Sequence, residues 1–448
     1  MWCAIDPILV APFSERAGAE HARDVTPTLH AVNPNLPLVI HDKSDRHPFV
    51  PLAFASRLDL IRPSATLAVA QQAAAMKAAG IDVISFSVGE PDFETPLSAK
   101  EGAKQAIDKG YTHYTAVRGI PPLLEAIAEE ASQRRGVEIS PSEIVVSCGA
   151  KQALFNLAVA LYEPGDEVII PAPYWVSYPE HALLFGAKPV VIPTHESQAF
   201  RVDPDELRKA LSPRTKAVVL CTPSNPTGAA YDRKSLEAIA EAVADHDCWI
   251  IVDEIYGRLV YDGFEAVSLI KVAPELRKRM VIVDGASKSF AMTGWRVGWI
   301  IAPPELAERC EMIQGQSTSN ICSIAQYAAL SALREASSFV EELKEEFAKR
   351  RQRMVEGLNR LPGFRCRMPE GAFYAFASIE GLINRSTGGQ KFTNDIEVAT
   401  YLLHAAHVAV VPGSAFGAPN YLRFSYATSI ESIDRGIERI KKALEKVS

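Results

Sequence analysis

From the Ser140-Pro141 pair onward, the chain alternates short apolar runs with stretches of helical character. The runs span 144–147, 167–170, 217–221, 249–253, 281–284 and 297–301. Continuous apolar character in segments this short marks strands buried on both faces. Strands separated by helices imply an α/β fold with a mostly parallel, doubly covered sheet. In such a sheet functional groups collect at the carboxyl ends of the strands. Asn225, Asp253 and Lys288 each fall at or just after one of those ends.

A length of 448 residues exceeds one typical domain and predicts two. The segment 1–55 holds seven prolines and little periodicity, and it reads as an irregular or disordered extension. Six acidic residues, from Asp6 to Asp45, speak against a transit peptide, and no basic region precedes an apolar core as in a secretory signal. A mis-assigned start codon would also explain it. An Ala-rich helix is expected over 65–79, followed by an extended run at 83–86 and a turn at Gly89-Glu90-Pro91-Asp92. Past Ser331, Phe339, Leu343, Phe347, Met354 and Leu358 mark one face of a long charged helix. Ile430, Ile433, Ile437, Ile440, Leu444 and Val447 mark another, with strand candidates at 372–376 and 422–425 between them. The expected organisation is therefore an extension over 1–55, a large domain over 96–335, and a smaller α+β domain built from 56–95 and 336–448.

A net charge of −7 argues against nucleic-acid and anionic-membrane partners, and no apolar run reaches the length of a membrane span. Seven scattered cysteines without a C-x-x-C pair read as reduced thiols of a cytoplasmic protein, not as a disulfide frame or a metal site.

The stretch Gly285-Ala286-Ser287-Lys288-Ser289-Phe290-Ala291-Met292-Thr293-Gly294-Trp295-Arg296-Val297-Gly298 sets a lysine and an arginine among small and apolar residues. Desolvation disfavours a charged amine, so a lysine there needs a chemical reason. Its spacing suits a lysine that holds a cofactor aldehyde as a Schiff base, with the arginine on a phosphate. Pro223-Ser224-Asn225-Pro226-Thr227-Gly228, Asp253-Glu254-Ile255-Tyr256, Pro173-Tyr174-Trp175 and Leu422-Arg423-Phe424-Ser425 are further distinctive segments. Taken singly, each has a plainer reading: an aspartate capping a helix, an Asn-Pro turn, an aromatic packing residue.

Together and in this order, from about Ser56 to the C-terminus, they resemble the class I aminotransferases, pyridoxal phosphate (PLP) enzymes of fold type I. That resemblance implies a seven-stranded sheet in the large domain. It gives Lys288 the catalytic role, as anchor of PLP and then as shuttle for the Cα proton. It sets Asp253 against the pyridine nitrogen, Tyr256 and Asn225 on the ring's 3-oxygen, and Trp175 over the ring, with Tyr174 as a competing candidate. Arg296, Ser287 and the helix start at Gly149-Ala150-Lys151 would cradle the phosphate. Some branches carry a serine where this chain has Gly285, so the cradle departs from their pattern. Tyr114 matches a tyrosine that reaches the partner subunit's phosphate, which implies a homodimer with shared active sites. Arg423 would hold the substrate α-carboxylate, and Gly89 would let backbone approach the substrate.

The pattern looks most like the bacterial and plastid branch of aspartate and prephenate aminotransferases. There the distal carboxylate meets a lysine and a threonine that match Lys151 and Thr66. The expected reaction joins L-aspartate and 2-oxoglutarate, with prephenate as a further substrate. Two alternatives share the cofactor residues: an aminotransferase for alanine, aromatic or kynurenine-type substrates, and a PLP lyase. A PLP-bound regulator would need a DNA-binding module, and the acidic N-terminal segment lacks helical periodicity and basic character.

Overall fold

The computed structural model describes residues 53–448, and 54–448 pack as one unit. Apart from 53–55, the expected N-terminal extension lies outside the described residues. The main sheet has seven strands in the order Ile144–Cys148, Val297–Ile301, Met280–Gly285, Trp249–Asp253, Thr215–Cys221, Glu167–Ala172 and Lys188–Pro193. Val297–Ile301 runs antiparallel to both of its neighbours, and the other pairs are parallel. Alternate side chains feed two cores. Val218, Leu220, Ile250, Val252 and Ile282 join one, while Ala217, Val219, Ile251, Val281 and Val283 join the other. Burial on both faces explains why these strands read as unbroken apolar runs.

All six apolar runs form strands, some longer than expected. The seventh strand, Lys188–Pro193, has no counterpart among them. It carries Pro189 and Pro193, which oppose a strand reading, and its place at the sheet edge tolerates them because no second neighbour needs their missing N–H groups.

A second, four-stranded antiparallel sheet has the order Val411–Pro412, Tyr421–Ser425, Tyr374–Ser378 and Arg365–Cys366. Ile84–Ser85 pairs in parallel with Val408–Ala409. Ile84 and Phe86 therefore share a core with Leu343, Phe347, Phe424 and Ile433, which joins the segment before the large sheet to the one after it. The expected helices appear as Ala65–Ala78, Ser337–Asn359 and Ile430–Leu444. Val447 lies beyond the last of these, and Ile430 stays exposed. The strand expected over 372–376 starts two residues later. Ala372 has φ +57°, outside the extended region, and its N–H bonds to Leu259 O at 2.9 Å instead of joining the ladder.

The helix Ala150–Leu161 presses its first turn onto the reversed strand. A methyl group at Gly298 would overlap the Ala150 backbone nitrogen and the Gly149 carbonyl carbon. Because those neighbours are backbone, Gly298→Ala is expected to destabilise the cofactor-free protein by about 2 kcal/mol. A urea-unfolding midpoint equal to wild type would show that the helix can back away freely.

Candidate active site

The sheet delivers its polar groups to one edge. Asp253 ends its strand, and Cys221 ends the neighbouring one in register with it. The strand Met280–Gly285 runs directly into a four-residue helix, Ala286–Ser289, that carries Ser287 and Lys288. Arg296 directly precedes the reversed strand, so reversal brings it to the edge where the parallel strands end. Its φ of +58° is unusual for a residue with a side chain. It is held there by Nη1, which donates to Thr293 O at 2.9 Å, and Nη2, which donates to Cys148 O at 3.3 Å.

These groups line a cavity of about 290 Å³, closed from the other side by Ser87, Gly89, Tyr374 and Arg423, which lie about the core of the smaller sheet, and by Thr66 of the N-terminal helix. Lys288 Nζ donates to Gly89 O at 2.7 Å across the two halves. Arg423 is only 2% exposed. Its Nη1 donates to Asn225 Oδ1 at 2.9 Å and its Nη2 to Ser87 O at 2.6 Å, while Nε has no partner. The guanidinium packs over Tyr374 and Phe416, 4.7 and 5.1 Å from the ring centres. Tyr256 and Tyr374 share a hydroxyl hydrogen bond at 2.8 Å.

Charge in the cavity is unbalanced: Lys151, Lys288, Arg296 and Arg423 face a single carboxylate, Asp253. Among the described residues no carboxylate pairs with Arg423, although a buried, unpaired guanidinium costs several kcal/mol. An anionic ligand would offset that cost. Burial pushes the Asp253 carboxyl up to about 6, against a 2.8 Å bond from Tyr178 Oη and a 3.1 Å bond from the Ile255 N–H that favour its charged form. A cation placed against Asp253 would restore its ordinary acidity. Burial also lowers the Lys288 amine to about 8. At the rim, Lys151 lies 4.9 Å from the Trp175 ring centre, and desolvation, then the Arg296 charge, hold its ammonium below the usual range.

Of the residues singled out from sequence, Thr66, Gly89, Ala150, Lys151, Trp175, Asn225, Asp253, Tyr256, Ser287, Lys288, Arg296 and Arg423 all line this cavity. Gly149 sits behind it with φ +80°, where a side chain would collide with the Arg296 guanidinium. Tyr114 does not line the cavity and is 90% exposed. Trp175 rather than Tyr174 faces the space, since the Tyr174 ring lies against Gly417. Tyr178, Tyr374 and Ser87 were missed. Tyr178 follows Trp175 by three residues on the turn that starts a helix, a spacing that offered a signal. Tyr374 offered only its place in a strand.

A sequence model described as "Aminotransferase class I and II" matches residues 81–440. The chain is 46% identical to the aspartate/prephenate aminotransferase of Cereibacter sphaeroides, over 87% of this chain and 98% of that one. It is 42% identical to the aspartate aminotransferase of Geobacillus stearothermophilus, over 88% and 99%. Its structure is similar to the aspartate aminotransferase of Rhizobium meliloti, with TM-score 0.86, 43% identity and coverage of 89% of this chain and 100% of that one. It is also similar to the Thermus thermophilus aspartate aminotransferase with maleate, with TM-score 0.83, 41% identity and coverage of 88% and 100%.

The lowered Lys288 amine has a direct chemical readout. At pH 8 about half of such amines are free, against roughly 0.3% for an ordinary lysine. In the cofactor-free protein, the rate of Lys288 acylation by a small reagent, followed by mass spectrometry, is expected to be half-maximal near pH 8. A midpoint near that of the surface lysines would show that the cavity does not desolvate the amine.

Proposed function

The chain belongs to the class I and II aminotransferases, and from that premise we propose that it moves the amino group of L-aspartate to 2-oxoglutarate, giving oxaloacetate and L-glutamate. The observation that carries this reading is the excess of cations in the cavity: one anionic cofactor group and two substrate carboxylates match Arg296, Arg423 and Lys151, which leaves Lys288 to hold the cofactor. The cofactor is PLP. When bound, it supplies an electron sink for the pair left on the substrate Cα as its proton departs.

The chain's own residues supply the rest. Asp253, buried and without an ion-pair partner among the described residues, is set to keep a ring nitrogen protonated. Asn225 uses its amide oxygen on Arg423 and so has its N–H groups left for the ring's 3-oxygen, to which the Tyr256 hydroxyl, here bonded to Tyr374, would also donate. Arg296, Ser287 and the free N–H groups at the start of Ala150–Leu161 receive the phosphate, where the helix dipole also favours an anion. Trp175, at the cavity wall, would pack against the ring. Arg423 holds the α-carboxylate in a fork that a lysine could not reproduce. Gly89 lets backbone approach the substrate: a Cβ there would press the Tyr374 hydroxyl. Lys288 Nζ anchors the cofactor at rest and then takes the Cα proton, a role suited to an amine lowered to about 8.

Lys151 and Thr66, both at the cavity wall, bind the distal carboxylate. The likeness to an enzyme described with maleate, a four-carbon dicarboxylate, supports that assignment. Prephenate, the second substrate in the name of the Cereibacter relative, also carries two carboxylates, one for each of the cations Arg423 and Lys151. Tyr114, exposed on its own subunit, serves the phosphate of a partner subunit in a homodimer with shared sites. The same reading takes 96–335 as the cofactor-holding domain and 56–95 with 336–448 as the smaller one. It places the enzyme in the cytoplasm, in keeping with six free cysteines and no helix long and apolar enough to cross a membrane among the described residues.

Lys288→Ala is expected to lower turnover by about four orders of magnitude while some PLP remains bound. Turnover like wild type would remove Lys288 from the mechanism. Lys151→Ala should reduce kcat/KM for aspartate by about tenfold to a hundredfold, the worth of one charge-assisted bond, and leave alanine almost unchanged. Equal losses on both would end its selectivity role. Single-turnover loss of the cofactor's absorbance, compared for L-aspartate, L-alanine and L-phenylalanine, tests the substrate directly. A faster reaction with either monocarboxylic donor would move the function to the alanine or aromatic alternatives.

A further inference from the structure

Behind the cavity, six charged side chains cluster: Arg134, Arg135 and Arg258 against Glu130, Glu254 and Asp284, with Arg135, Glu254 and Asp284 buried and the other three partly so. None of them lines the cavity. Three positive and three negative charges leave the cluster neutral. Burying so many ions is a poor route to stability, because apolar side chains of similar volume do as well. Their position is more informative than their number.

Arg135 stands at the centre, 2% exposed, as the last residue of the helix Pro121–Arg135. Gly136, with φ +64°, stops that helix and leaves the arginine against the sheet. Its Nε donates to Glu254 Oε2 at 2.9 Å and its Nη2 to Asp284 Oδ2 at 2.9 Å. Glu254 follows Asp253 in the chain. Asp284 stands four residues before Lys288, and its Oδ1 accepts the Gly285 N–H at 2.7 Å at the turn into the lysine's helix. One planar guanidinium thus ties together the two strand ends that carry the cavity's carboxylate and its amine.

We propose that Arg135 is a positioning residue for Asp253 and Lys288, acting through Glu254 and Asp284. Its fork sets the spacing of the two strand ends. Its charge offsets part of the negative potential that the two carboxylates place on the groups in front of them, alongside Arg134 and Arg258 on Asp284. Without it, the rise that Glu254 and Asp284 already cause in the proton affinity of Asp253 would grow, in the same direction as its burial. They would equally favour the protonated form of the nitrogen on Lys288. The other groups facing Lys288 are Glu90, Arg296, Arg423 and Asp253, and those facing Asp253 are Lys288, Tyr178 and Cys221. None of these changes when Arg135 is replaced.

The proposal rests on the PLP reading, so the wild-type holoenzyme is titrated first. A wild-type protein without bound PLP or a pH-dependent cofactor absorbance overturns that reading, and this proposal with it. Given that signal, holoenzyme carrying Arg135→Gln is expected to show its midpoint raised by roughly one pH unit, with kcat reduced more than KM is changed. Adding Glu254→Gln to Arg135→Gln removes the surplus negative charge and should return the midpoint towards wild type. Arg135→Lys keeps the charge and loses the fork, so it should keep the midpoint and lose kcat by about tenfold. A titration of Arg135→Gln that overlays wild type, with only the thermal midpoint lowered, would reduce Arg135 to a structural ion pair. Should Arg135→Gln not fold, Arg135→Lys decides: wild-type kcat overturns the proposal, and a selective loss of kcat supports it.

Discussion

Burial of the main sheet on both faces governs where this protein can do chemistry. A strand packed on two sides has no room for a charged side chain along its length, because an unpaired charge there is too costly to desolvate. Charge is admitted where the strands end, and Asp253 and Lys288 sit at or just past such ends. The single reversed strand widens this supply. By running against its neighbours it starts where they stop, and Arg296 reaches the same edge from the opposite direction along the chain.

The core around the smaller sheet completes what the strand ends begin. Arg423 lies in the middle strand of the smaller sheet's upper three, paired with Phe376 on one side and Val411 on the other. Strand pairing holds its backbone still while its guanidinium spans to Asn225 on the large sheet's side and Ser87 on its own. Lys288 makes the reciprocal crossing to Gly89. The cavity therefore exists only while both cores are in contact, and each half carries charges that the other half does not neutralise. Such a site is held in readiness for an anion. The cost of the bare cations is borne by the packing of two large apolar cores.

The two acidic groups near the sheet edge illustrate how environment separates like side chains. Burial pushes both Asp253 and Asp284 up, yet they end on opposite sides of the ordinary carboxylate range. Asp284 has Arg134, Arg258 and Arg135 around it, and their combined charge outweighs burial. Asp253 has only a tyrosine hydroxyl and a backbone N–H, and burial wins. One carboxylate is thereby committed to structure, and the other is left waiting for a cation.

Much of this was legible along the chain. Six strands announced themselves as apolar runs because double burial removes the polar half of the usual alternation. Lys288, Asp253 and Asn225 were legible because each lies within a few residues of a strand end, a local relation. Lys188–Pro193 was hidden by its prolines, which only its edge position tolerates. The start of the strand at Tyr374 was hidden by the left-handed Ala372. The partners of the site were further from view. Tyr178 lies 75 residues from Asp253, Tyr374 lies 118 from Tyr256, and Arg135 lies 149 from Asp284. The sequence by itself determined the class of fold and most of the polar residues that line the cavity, since both depend on neighbours along the chain. Only the tertiary structure decided which tyrosine faces which carboxylate, which cations go unpaired and what stands behind them. Strand order and register set those meetings, and no local pattern encodes them.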